Sequence, residues 1–170
     1  MNAKDWVIHE DSVTQQDRVT RLQWLLQHTP QNEIWLYHGG LLSQELFEQT
    51  RYCYVYGQFL ATIILGLSFI ENTLGAMFFT TGRNDLERAN ISTLITEAFN
   101  EGWISSKEKQ ELDQARIIRN DVTHFRKPGD ETSIIQRIRT EEYEIEVLFE
   151  QEAREVMLVV FNILSRFSVR

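Results

Sequence analysis

Cysteine and proline are nearly absent from this chain. Among 170 residues there is one cysteine, Cys53, and there are two prolines, Pro30 and Pro128. A lone cysteine excludes an intrachain disulfide and a cysteine-based zinc site. It sits among Tyr52, Tyr54 and Tyr56, which suits a small core residue. Scarce proline leaves room for long helices, and each proline is expected to mark a boundary. Basic residues are in deficit: 17 Lys and Arg against 25 Asp and Glu give a formal net charge of −8. Indiscriminate nucleic-acid binding needs a positive surface, so that class is disfavoured, although a small local basic site is compatible with the balance. No glycine-rich phosphate loop is present, because Thr81-Gly82-Arg83-Asn84 lacks the required lysine and spacing. His9, His28 and His38 are scattered without a ligand pattern, so no metal is expected. Met1 to Glu10 has no apolar core of signal-peptide length, and a cytoplasmic protein is the expectation.

What is present reads as helix. Hydrophobic residues make up 42 % of the chain, enough for a globular core in a single domain spanning residues 1–170. Ser12 with Gln15 has the form of a capping box, followed by a stripe of Val19, Leu22, Leu25 and Leu26. That helix is expected to end near His28, before Pro30. The segment from Glu33 to Tyr37 reads as extended or as one loose turn, and His38-Gly39-Gly40 as a turn. Residues 1–42 thus form an N-terminal accessory helix and turn, with the bundle core in 43–170.

Ser43 then caps one long helix to about Thr80, kinked at Gly57. From Tyr52 to Ile70 no residue is charged, a length close to a membrane span. Gly57, Gln58, Thr62, Gly66 and Ser68 dilute it, and a central helix buried on all sides accounts for the pattern without a membrane. Glu71 and Asn72 interrupt the apolar run. Asn90 caps the next helix and Gly102 stops it. Ser105 with Glu108 forms a capping box for a further helix that Pro128-Gly129 closes. Residues 129–142 are polar and read as irregular. A last helix runs from about Glu150 to Phe167. Strand signals are weak throughout. The expected fold is all-α, an up-and-down bundle of about five helices with one long central helix.

One stretch, Gln114 to Phe125, carries concentrated chemistry. Leu112, Ala115, Ile118, Val122 and Phe125 recur at spacings of three and four and form an apolar stripe. Arg116, Arg119, Asn120, Thr123 and His124 fall elsewhere. Arginine offers a planar fork of donors suited to phosphate oxygens, and histidine moves protons near neutral pH. Arg119 and His124 are five apart, so on one helix they diverge by roughly 140°. Two copies of the helix meeting across a dyad would bring Arg119 of one toward His124 of the other. The alternative is an exposed face whose Arg116 and Arg119 pair with Asp113, Glu71 or Asp121, with His124 as a cap.

The run Arg119-Asn120-Asp121-Val122-Thr123-His124 resembles the signature of the HEPN superfamily, an arginine and a polar residue followed by histidine. Leu65-Gly66-Leu67-Ser68-Phe69-Ile70-Glu71-Asn72-Thr73-Leu74 is similar to the long helix of that family with its internal glutamate. The approach through Leu94-Ile95, Gly102-Trp103-Ile104-Ser105 and Leu112 is also similar. The likeness covers about Phe59 to Phe125. It implies a dimeric helical bundle and a metal-independent endoribonuclease with a composite site, without a cofactor, of the kind used as toxins or antiphage defence effectors. It implies RNA as substrate, a homodimer, and an antitoxin or regulatory protein as a further partner. Carried over, Arg119 binds phosphate, His124 is the general acid and base, and Asn120 is the polar neighbour. Glu71, Arg116 and Thr123 are supporting residues, and Arg126 and Lys127 are RNA contacts. Toxins of this family neutralised by adenylylation carry tyrosine two residues after the histidine. Arg126 stands there in this chain, so that form of control is not implied. The alternative function is a non-catalytic HEPN-like module for protein interaction or nucleic-acid binding.

Overall fold

The side chain of Asn2 accepts a hydrogen bond from the Asp5 amide at 2.9 Å and opens the first helix, α1 (Ala3–His28). This is a computed structural model, and it describes residues 2–31, 34–125, 127, 134–141 and 144–167. The helix begins nine residues before the cap expected at Ser12, whose hydroxyl instead donates to the His9 carbonyl from inside it. Of the expected apolar stripe only Leu25 is buried; Val19, Leu22 and Leu26 are exposed. Pattern placed the helix, but α1 packs chiefly on α2 (Gly40–Val55), with Arg21 also reaching Glu150 at 3.7 Å and the Phe59 ring.

The long helix expected from 44 to 80 is two helices. α2 ends at Val55, and α3 (Phe59–Thr80) begins after Tyr56, Gly57 and Gln58. Gly57 adopts φ +72°, a conformation that L side chains rarely hold, so the chain turns here rather than bending. Ser43 lies inside α2, not at its cap; it is fully buried and donates to Asn72 Oδ1 at 2.6 Å. Gly39 precedes the helix, and a Cβ there would sit 1.8 Å from Asn72 Oδ1. The turn and α3 are therefore in direct contact.

A 3-10 turn (Asn84–Leu86) leads to α4 (Ile91–Asn100). Asn90 caps α4 through Thr93 N at 3.0 Å, and Gly102 takes φ +74° beyond its end. Ser105 and Glu108 form the expected reciprocal box at the start of α5 (Ser106–Thr123). α5 stops at Thr123, before Pro128, which lies outside the described residues. Part of the stretch expected to be irregular is helical, α6 (Ile134–Glu141), and the last helix, α7 (Ile145–Phe167), begins five residues earlier than expected.

The described residues thus form seven α-helices and no strand, an all-α bundle. α3 is its centre, packed most extensively on α2 and α7 and also on α4 and α5. Phe47, Ile63, Leu67, Phe69, Ile70, Leu74, Val156, Met157 and Val160 fill the middle. Each such side chain contributes about 1.5–3 kcal/mol on burial, offset by chain entropy. Gly66 lets α3 approach α7, since a Cβ there would meet Val156 Cγ1 at 2.7 Å. α3 is not buried all round: Leu60, Ile64 and Phe79 are exposed. It is long and apolar enough to cross a membrane by composition, with 44 % of its most apolar window buried inside the bundle.

Candidate functional site

The capping box drives α5 in one direction and the core fixes its rotation. Leu112, Ala115 and Ile118 are buried against the bundle, and Val122 packs partly on it. Phe125, placed on the same stripe by spacing, is instead 88 % exposed, because the helix ends two residues earlier and the chain leaves the core. The rest of the circumference of α5 is left to Arg116, Asn120, Thr123 and His124, with Arg119 at the margin of the buried stripe.

These residues differ in how they are engaged. Arg116 Nε donates to Asp113 Oδ1 at 3.3 Å, and Lys109 Nζ donates to Asp113 Oδ2 at 2.7 Å. Burial alone would raise the Asp113 carboxyl, but the two cations outweigh it and hold it below the usual range. Arg116 is therefore occupied. Arg119 is half-buried, and its guanidinium has no hydrogen-bond or ion-pair partner among the described residues. Its carbonyl accepts from Thr123 Oγ1 at 2.9 Å, so Thr123 serves the helix end. His124 is the C-cap, exposed, with extended backbone, and its amide closes on the Asn120 carbonyl at 3.0 Å. The chain thus presents a half-buried arginine, a half-buried asparagine and an exposed histidine along one helix end.

Two exposed apolar side chains border this end. Ile117 lies three and seven residues before Asn120 and His124, and so on their side of the helix, and Phe125 follows His124. Lys127 is exposed. Arg126 lies outside the described residues. Arg139 of α6 is exposed, while Arg137 is held by Glu152 of α7 at 2.5 Å.

Glu71 is placed elsewhere. It is half-buried on α3 and lines a groove of about 810 Å³ with residues of α2, the 3-10 turn and α4, none of them from α5. No ion pair joins it to Arg116 or Arg119 among the described residues. Among the described residues no group of three or more His, Cys, Asp or Glu side chains is arranged to hold a metal ion.

Two features here have little trace in the sequence. Glu152, in α7, is 3 % exposed, and its Oε2 has no hydrogen-bond partner among the described residues. Burial pushes its carboxyl above the usual range; Arg137 opposes this, and the nearby charges of Asp121 and Glu155 add to it. The apolar spacing of α7 hides this acid on an otherwise inward face. The groove beside Glu71 is the other feature, and its one sequence signal is a charge set into an apolar helix.

Comparison with protein-family models, with curated proteins and with solved structures finds no match to this chain.

Proposed function

We propose that the protein is a metal-independent endoribonuclease of HEPN type, acting as a homodimer in which two α5 C-termini form one cleft. The observation that carries this reading is the end of α5: an Arg119 guanidinium with no described protein partner, beside Asn120, which lies one helical turn before an exposed His124. A half-buried arginine without a carboxylate is a donor fork that a phosphate can occupy. The divergence of Arg119 and His124 favours a site built from two chains, and exposed Ile117 and Phe125 supply apolar surface for a second copy.

In such a cleft a neutral His124 takes the proton from an RNA 2′-hydroxyl. The 2′-oxygen attacks the adjacent phosphorus, and the bond from phosphorus to the 5′-oxygen breaks. The His124 of the second copy, as imidazolium, returns a proton to that leaving oxygen. Arg119 holds the non-bridging oxygens as charge builds. The products are a 2′,3′-cyclic phosphate and a 5′-hydroxyl. The test is digestion of a broad RNA panel in EDTA by wild type and by His124→Ala. Cleavage by wild type alone, ending in cyclic phosphate, supports the reading. No cleavage, or equal cleavage by both, removes it.

A non-catalytic HEPN-like interaction module is the second reading. The acidic, partly apolar groove on α3 favours it, because that surface is suited to a protein partner rather than to RNA.

A further inference from the structure

Gly75 and Gly66 lie on the same helix under opposite conditions. Gly66 is required by packing, as its Cβ would collide with Val156. At Gly75 a Cβ would meet nothing within 4 Å. Glycine in a helix interior costs about 0.5–1 kcal/mol relative to alanine, and here no internal packing explains it. Gly75 forms part of the floor of the 810 Å³ groove, together with Ala76, Leu46 and Leu94. The groove is open along one side, and its rim includes Leu42 at 58 % and Phe79 at 65 % exposure.

The charge of the groove has one sign. Glu71 and Glu87 line it, and no lysine or arginine does. Neither carboxylate has an ion-pair or hydrogen-bond partner among the described residues. The nearby Arg83 is taken up by Asp85, Glu97 and Glu101 at 2.9–3.0 Å. Arg88, next to Glu87, is exposed and pairs with neither carboxylate. A second copy docking the same face across a dyad would set these carboxylates against each other, and a phosphate chain would be repelled.

We infer that the groove bounded by α2, α3 and α4 is the docking site for a basic amphipathic helix of a partner protein. Apolar side chains of that helix at spacings of three and four seat on the Gly75-Ala76 floor between Leu42 and Phe79. Lysine or arginine on its flanks meets Glu71 and Glu87. This site is separate from the α5 helix end, and its failure would leave the ribonuclease reading untouched.

The test uses the full chain and two labelled synthetic peptides of about 14 residues, long enough to hold a helix, one of leucine and lysine and one of leucine and glutamate in the same pattern. Fluorescence anisotropy is expected to show binding of the basic peptide and none of the acidic one. Gly75→Leu puts a side chain onto the floor at a position where a Cβ meets nothing within 4 Å, and should weaken the basic peptide about tenfold or more, with melting unchanged or raised. Glu71→Lys, on a half-exposed side chain, should do the same, and it serves alone if Gly75→Leu does not fold. Glu146→Lys, exposed on α7, should leave affinity unchanged. Equal affinity across all variants overturns the inference. So does a change of oligomeric state in Gly75→Leu, which would make a second copy the occupant. Co-sedimentation of wild type with phosphatidylcholine vesicles, lost in Gly75→Leu, would make it a lipid surface and overturn the inference as well.

Discussion

Arg137 donates to Glu152 Oε1 across the α6–α7 junction at 2.5 Å, while Glu152 Oε2 is buried without a partner among the described residues. The pair therefore fastens α6 to the bundle and carries an unmet cost at the same time. A buried carboxylate with one oxygen unsatisfied is stable only while its cation stays in place.

That arrangement makes stability depend on pH with a definite sign. Burial raises the Glu152 carboxyl above its ordinary value, so the native state binds the proton more tightly than the unfolded chain does. The favourable contribution is complete below the unfolded value, near 4.5, and is lost as pH rises through the raised native value. Denaturant titrations from pH 4 upward should show this slope in wild type and not in Glu152→Gln. Glu152→Ala leaves Arg137 without its carboxylate and should cost about 1–3 kcal/mol, reduced because Arg137 is 28 % exposed.

The two glycines of α3 should respond in opposite directions to one added methyl. Gly66→Ala forces α3 away from Val156 and is expected to destabilise by about 1–3 kcal/mol in chemical denaturation. Gly75→Ala meets open space and is expected to stabilise by about 0.5–1 kcal/mol. If both substitutions destabilise equally, the packing assigned to these positions is wrong.

Replacing Arg119 separates a ligand-binding arginine from a structural one. No described carboxylate would be orphaned by Arg119→Ala, so its unfolding free energy should stay within about 0.5 kcal/mol of wild type while RNA cleavage is lost. His124→Ala, at an exposed C-cap, should behave in the same way. A large loss of stability in Arg119→Ala would favour the interaction module.

Ser105 is the best local test of how α5 is held. Its hydroxyl and backbone exchange hydrogen bonds with Glu108, and Glu108 Oε1 also accepts from Arg166 Nε at 2.6 Å. Ser105→Ala should cost about 0.5–2 kcal/mol in thermal or denaturant unfolding. Any RNA cleavage should fall only as far as the folded fraction does.

The residues that announced themselves in the sequence were those whose partners lie within one turn. Asn90, Gly102 and the Ser105–Glu108 box marked α4 and α5 because capping is local chemistry. A kink is the expectation at Gly57 because one glycine does not reveal whether its φ is positive, and the positive φ makes it a turn. Leu22 and Leu26 have core spacing but no neighbour to bury them, and spacing carries no information about neighbours. Arg119, Asn120 and His124 stand out as a motif because they are near neighbours in sequence, and they fall on the last turns of α5 and its cap. Glu71 stood out as a charge in an apolar run. Which surface it faces followed only from the packing of α2 and α4 beside α3. The Arg137–Glu152 pair spans two helices and had no signal in any single stretch.

The one-sided packing of α1 has a consequence for how the molecule comes apart. Leu25 is its single buried side chain, while Trp6, Val7, Ile8 and Val13 are all exposed. The first half of this helix is held by little more than its own hydrogen bonds, which is marginal in water at that length. Its amides should exchange with deuterium in seconds to minutes, while those of α3 wait for global opening. Heating should therefore remove part of the helical signal before any aromatic core signal changes, and a single melting temperature would describe only the chain that follows the first half of α1.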